Sequence, residues 1–137
     1  MQGNTKRQSK LNQAACVCIL AAMLFLLTGC GTGSVFDGSR ATDASGFRME
    51  YSILNREESA DLSLTEGDRL RVFLSHTEGT ADVTVGMDGN EPIYRGRGQQ
   101  NAEFVLEIVE AGNYHISVSG HQAKGSVSFT RIPGETE

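Results

Sequence analysis

An all-β antiparallel sandwich is the fold class that this 137-residue sequence predicts, and three observations predict it. From Phe47 to Phe129, apolar residues recur at every second position, which is the period of half-buried strands. Clusters of Gly, Asp and Asn break those runs about every 8–12 residues, as turns between short strands do. No stretch between Phe47 and Ile132 carries the apolar period of a helix, and the best candidate, Arg56 to Ala60, is a single turn long.

The strands follow in order. Phe47, Met49, Tyr51 and Ile53 alternate with Arg48, Glu50, Ser52 and Leu54, which predicts a first strand over 47–54. A short strand is predicted over 61–64. Leu70, Val72 and Leu74 turn inward in a strand over 68–75, leaving Arg69, Arg71 and Phe73 outside. Val83, Val85 and Met87 define 80–87, and a brief strand over 91–95 comes next. Phe104, Leu106 and Ile108 define 100–109, Tyr114, Ile116 and Val118 define 113–119, and Val127 with Phe129 define 124–132. The turn signals between them are Glu66-Gly67-Asp68, Glu78-Gly79, Asp88-Gly89-Asn90, Gly96 to Gly98, Ala111-Gly112-Asn113 and Gly120 to Gly125. About eight such strands predict a two-sheet, jelly-roll-like sandwich over 47–132, followed by a tail over 133–137.

The N-terminus has a different logic. Met1 to Lys10 is polar and basic, and Ala14 to Leu27 is an unbroken apolar run. Small residues follow at Thr28 and Gly29. A basic region, a short apolar region and small residues make a signal peptide over 1–29. The run is short of the roughly 20 apolar residues that a spanning helix needs. Leu27-Thr28-Gly29-Cys30 resembles the lipobox of bacterial lipoprotein precursors. That resemblance implies cleavage between Gly29 and Cys30 and a diacylglyceryl group on the Cys30 thiol. Membrane lipid is thus an expected partner, and the expected location is the bacterial cell membrane or outer membrane, facing away from the cytoplasm.

Cys16 and Cys18 would leave with the signal peptide, so the remainder carries no thiol apart from Cys30 and no disulfide is expected. Residues 31–46 are rich in Gly, Ser, Thr, Ala and Asp and show no periodicity, which predicts a flexible linker over 30–46 including the lipidated Cys. Of the 12 Lys+Arg, Lys6, Arg7 and Lys10 fall in the signal segment. The remaining 9 face 17 Asp+Glu, a formal charge of −8. So acidic a body excludes nucleic acid as a partner class, because phosphate binding needs a basic face.

Two further segments bear a resemblance. Leu64-Thr65-Glu66-Gly67-Asp68, and Glu110 to Val118 with its Gly112, Tyr114, Ile116 and Val118, are similar to motifs of small bacterial β-sandwich modules of the pre-peptidase C-terminal type. The resemblance covers about 47–132 and implies an accessory or binding role, with no functional residues to transfer.

Chemistry-bearing constellations are sparse. No Gly-x-Ser-x-Gly elbow accompanies the three histidines. His76 and His121 are expected in exposed turns and His115 on an outer face. Asp88-Gly89-Asn90-Glu91 offers oxygens for a hard cation but lacks EF-hand spacing and reads as a hairpin turn. Glu57-Glu58 and Glu107/Glu110 are expected in solvent. No enzyme, metal or cofactor is expected. The segment 94–101 is predicted as a Gly-rich loop, and its Tyr94, Arg95, Arg97, Gln99 and Asn101 are candidate ligand contacts. An aromatic face with planar amide and guanidinium donors suits sugars or anions. Phe73 and Val105, with Val109, are the candidate apolar partner face, provided that strands 68–75 and 100–109 are neighbours. The expected function is a membrane-anchored, non-catalytic binding module for a glycan, a cell-envelope polymer or an envelope protein. The alternative is a structural subunit of a cell-envelope complex.

Overall fold

The computed structural model describes residues 33–135. The signal segment, the Gly29–Cys30 cleavage bond and the Cys30 lipid site lie outside the described residues. Seven antiparallel strands form the fold: β1 (Val35–Asp43), β2 (Gly46–Asn55), β3 (Glu57–Leu64), β4 (Arg69–Met87), β5 (Tyr94–Gln99), β6 (Asn101–Glu107) and β7 (Gly112–Ile132). Among the described residues there is no helix.

The strands make one continuous sheet folded into two layers. β4 and β7 pair along almost their whole lengths, from Arg69↔Ile132 to Met87↔Tyr114. Both bend in the middle, where the register shifts between His76 and Thr80. On one side of the bend the order is β1-β2-β7-β4-β6. On the other it is β3-β7-β4-β5. Strands that cross from layer to layer through bulges are a recognised way to turn a sandwich corner. Phe47, Leu70, Val72 and Phe129 from the first layer and Val83, Val85, Ile116 and Val118 from the second share one buried cluster between them. Within it the Phe47 and Phe129 rings stack with centroids 6.0 Å apart.

The bend merges two pairs of the eight expected strands into β4 and β7, and β1, which was not expected, brings the total to seven. Glu78-Gly79 and Gly120 to Gly125 are bulges within β4 and β7, not turns between separate strands. Gly79 adopts φ +68°, and a Cβ there would lie 2.2 Å from the Gln122 carbonyl oxygen. A glycine signal inside an alternating run marks a bulge or a close backbone approach as readily as a turn. A third bulge shifts the phase of β2 between Tyr51 and Leu54. Leu54, expected outside, is therefore fully buried, while Ile53 is only half-buried.

The linker expected over 30–46 is also corrected, because residues 35–43 are a strand. β1 pairs with β2 from Val35↔Asn55 to Asp43↔Gly46. All its residues are exposed save the half-buried Phe36, so no apolar alternation marks it. Instead, its backbone completes the edge of β2, and Arg40 reaches across to the other layer. The Arg40 guanidinium meets Glu58 at 2.5 Å and donates to the Ser59 carbonyl at 2.7 Å. Arg56 grips the other oxygen of the same carboxylate, with Nε 2.6 Å away. Glu58, expected in solvent, is accordingly a buried charge held by two guanidiniums. The opposite edge closes with an aromatic contact between the layers, Tyr94 on β5 against Phe104 on β6 at 4.5 Å.

Candidate functional site

The expected contact segment 94–101 is β5 and the start of β6, not a loop, and the alternation of a strand divides its residues. Tyr94 turns in against Phe104, and the Gln99 side-chain amide lies 2.5 Å from the Tyr94 hydroxyl. The other amide atom of Gln99, Oε1, is buried with no hydrogen-bond partner. Gly96 lies over both side chains, leaving no room for a Cβ. Asn101 accepts a hydrogen bond from the His76 backbone N–H at 3.2 Å. Arg95 and Arg97 point outward. The aromatic, amide and guanidinium groups thus do not converge on one surface.

The histidines are each committed elsewhere. His76, expected in an exposed turn, is 4% exposed at the bend of β4. Its Nδ1–H donates to the Gln100 carbonyl at 2.8 Å, and in the neutral ring that burial favours its Nε2 accepts the Tyr51 hydroxyl proton. Burial lowers the His76 pKa below its ordinary value and pushes that of Tyr51 up to about 12. His115 pairs with Asp61 at 2.7 Å and His121 with Asp82 at 3.0 Å. Among the described residues no group of three or more His, Cys, Asp or Glu is placed to hold a metal ion. Asp88 to Asn90 form a turn, with Gly89 at φ +80°.

The other expected surface is assembled. β4 and β6 are neighbours, with Phe73 opposite Glu103 and Arg71 opposite Val105, so Phe73 and Val105 are diagonal neighbours on one outer face. Phe73 is 40% exposed and Val105 49%. Val109 lies beyond the end of β6, 73% exposed. Between the two apolar side chains runs an Arg71–Glu103 ion pair.

That face extends further than the sequence indicates. The register aligns Ser39, Glu50, Ser126, Ser75 and Asn101 in one row across five strands. Ala41, Arg48, Ser128, Phe73 and Glu103 form the next row. Thr130, Arg71 and Val105 follow in a third. Ser126, Ser128 and Thr130 therefore run as a hydroxyl ladder down β7, with guanidinium and carboxylate groups on either side and the Phe73 ring beside it. Three concavities open on this face. The largest, about 840 Å³, is lined by Glu50, Ser52, Ser75, Thr77, Lys124 and Ser126. A second of about 420 Å³ shares Ser39, Glu50 and Ser126 with it and adds Arg48 and Ser128. The third, about 320 Å³, lies over Phe73, Ser75, Asn101 and Glu103. In the sequence these residues are scattered over separate strands, the expected linker (Ser39, Ala41) and expected turns (Thr77, Lys124), and only the pairing of β7 between β2 and β4 brings them together.

No protein-family model and no curated protein matches the chain.

Proposed function

We propose that this chain is a lipid-anchored bacterial envelope protein whose sandwich is a non-catalytic binding module for a glycan or a polyhydroxylated envelope polymer. The lipobox-like Leu27 to Cys30 segment supports the anchor. The observation that carries the binding role is the outer face of β1-β2-β7-β4-β6, where a half-exposed aromatic ring is set among hydroxyl, guanidinium and carboxylate groups along connected shallow troughs. A phenyl ring packs against the C–H face of a pyranose, while planar charged groups and hydroxyls exchange hydrogen bonds with its ring of hydroxyls. Wide, open troughs suit a chain lying along the sheet better than a small molecule held in a closed pocket.

Cosedimentation of the lipidated protein, reconstituted in vesicles, with purified envelope polysaccharide tests this reading. Phe73→Ala is expected to weaken binding about tenfold, the equivalent of about 1.4 kcal/mol of lost ring contact. Arg95→Ala with Arg97→Ala, on β5 of the other layer, is expected to leave it unchanged. Equal binding by wild type and Phe73→Ala would refute the site.

The diagonal Phe73–Val105 pair favours a second reading, a subunit of an envelope complex that docks a protein on the same face. Val105→Asp separates the two. It lies outside the troughs and spares a glycan site, but it places a charge at the centre of a protein contact.

A further inference from the structure

We infer that the bent end of the sandwich, where Arg56, Glu78 and Lys124 lie, faces the lipid headgroups, and that the opposite end points away from the membrane. The inference rests on the proposed lipid anchor at Cys30. Its structural basis is the early start of β1. Five residue steps separate Cys30 from Val35, which span at most about 17–18 Å even when fully extended. The nine residues of β1 then run a further ~30 Å from one end of the sandwich to the other.

The pairing shows which end Val35 occupies. Val35 lies opposite Asn55, and the Asn55 side chain accepts a hydrogen bond from the Gln122 N–H. The Gly120 N–H donates to the Arg56 carbonyl, and Glu78 lies opposite Lys124. These contacts gather the bends of β4 and β7 around the start of β1. At the other end, Asp43 lies opposite Gly46, beside Thr130, and the Gly67 N–H donates to the Ile108 carbonyl. Turning the molecule over would put the whole length of β1 between Val35 and the bilayer. The span available from Cys30 is too short for that.

Charge separates the two ends independently. The far end carries Asp43, Glu66, Asp68, Asp88, Glu91, Glu107 and Glu110 against only Arg48, Arg69 and Arg131, the last of them bonded to Asp68. At the bent end Arg56, Arg97 and Lys124 stand against Asp37, Glu57 and Glu78, and His121 is bonded to Asp82. An anionic leaflet repels the first end and tolerates the second. The length of the chain and the distribution of charge therefore favour the same orientation, with the hydroxyl-lined face standing upright beside the membrane.

The test uses the full chain, produced in a bacterial host and reconstituted in vesicles of phosphatidylethanolamine and phosphatidylglycerol. With Cys30 acylated, one added cysteine is the only free thiol of the mature protein. Glu78→Cys marks the bent end and Val109→Cys the far end, each carrying an environment-sensitive fluorophore. Lipids spin-labelled on the headgroup are expected to quench the residue 78 probe several-fold more than the residue 109 probe. Equal or reversed quenching in an acylated, vesicle-bound protein would overturn the orientation and leave the anchor standing. Failure of wild type to incorporate an alkynyl fatty acid, with Cys30→Ala behaving identically, would overturn the anchor and the orientation with it.

Discussion

Tyr51 and His76 meet inside the bend, the tyrosine hydroxyl donating to imidazole Nε2, and neither ring reaches solvent. Gly38 and Gly125 flank Tyr51 on the neighbouring strands, so no side chain competes with it for that row. The Nδ1–H bond to Gln100 completes a chain that links β2, β4 and the β5–β6 junction. This pair holds the corner on which both layers depend.

Acid should therefore act on the corner before it acts elsewhere. Burial keeps His76 neutral, so its folded pKa is below the value near 6.5 of the unfolded chain. The unfolded state takes up the proton first. Stability is thus complete above about pH 6.5 and declines as pH falls toward the lower folded value. Urea midpoints measured from pH 8 to pH 5 should fall for wild type, and His76→Gln should remove this component of the slope. At the alkaline limb, Tyr51 at about 12 against an ordinary 10 adds stability that is lost as pH rises through that interval. Tyr51→Phe leaves Nε2 buried and unpaired, and is expected to cost about 1–3 kcal/mol.

A second acid limb belongs to Asp68. Burial alone would raise its pKa. The N–H groups of Thr65 and Gly134, at 2.9 and 3.0 Å, and the Arg131 Nε–H, at 2.7 Å, overcome that and hold it at about 2. Its contribution is present above pH 3.8 and is lost as pH falls through 2. Asp68→Ala strands Arg131 and two backbone donors, and should cost about 2–4 kcal/mol in urea unfolding at pH 7.

Arg40 separates the fate of β1 from that of the core. Arg40→Ala should cost only about 1 kcal/mol globally, because its side chain is half-exposed and Arg56 still holds the Glu58 carboxylate. Amide exchange over residues 35–43 should nonetheless accelerate markedly, since this side chain ties the strand to the second layer. Glu58→Ala removes both ion pairs but leaves two half-exposed guanidiniums that water can solvate, and should cost about 1–2 kcal/mol.

Two glycines with positive φ should respond differently to a methyl group. Gly125, at φ +147°, would place a Cβ 2.0 Å from the Ser75 carbonyl oxygen, whereas Gly98, at φ +60°, opens into empty space. Gly98→Ala should cost about 1–2 kcal/mol, the intrinsic penalty of the left-handed region. Gly125→Ala should cost at least about 3 kcal/mol, or prevent folding, because backbone must move. Thermal melts of the two variants provide the comparison.

Alternation makes β2, β4 and β7 legible because each buries one face. β1 is a strand with both faces exposed, and its composition is therefore that of a linker. Backbone pairing leaves no hydropathy signal, and neither does the reach of a single arginine across a gap. Long bent strands are misread as pairs of short ones because Gly79 and Gly125 serve a bulge with the chemistry of a turn. Phe73 and Val105 are recognisable as outward apolar residues, yet Arg48, Glu50 and the β7 hydroxyls on the same face come from β2 and β7, far away in the chain. Tyr94 and Gln99 mislead for the opposite reason. Residues suited to a ligand are equally suited to each other.

Because β4 and β7 run through both layers, neither layer has a boundary at which it can come apart from the other. Opening the hydrogen bonds at Val72↔Phe129 loosens the same two strands that hold Val83↔Val118. Native-state exchange should accordingly find one cooperative block in these strands, with separate, faster exchange confined to β1 and the outer strands. The pairings are also distant in sequence, so the chain must close long loops before any part of this block is rewarded, and folding should be slow for a domain of this size. A chain with such a topology stays unlocked for longer after synthesis than a helical domain of the same length.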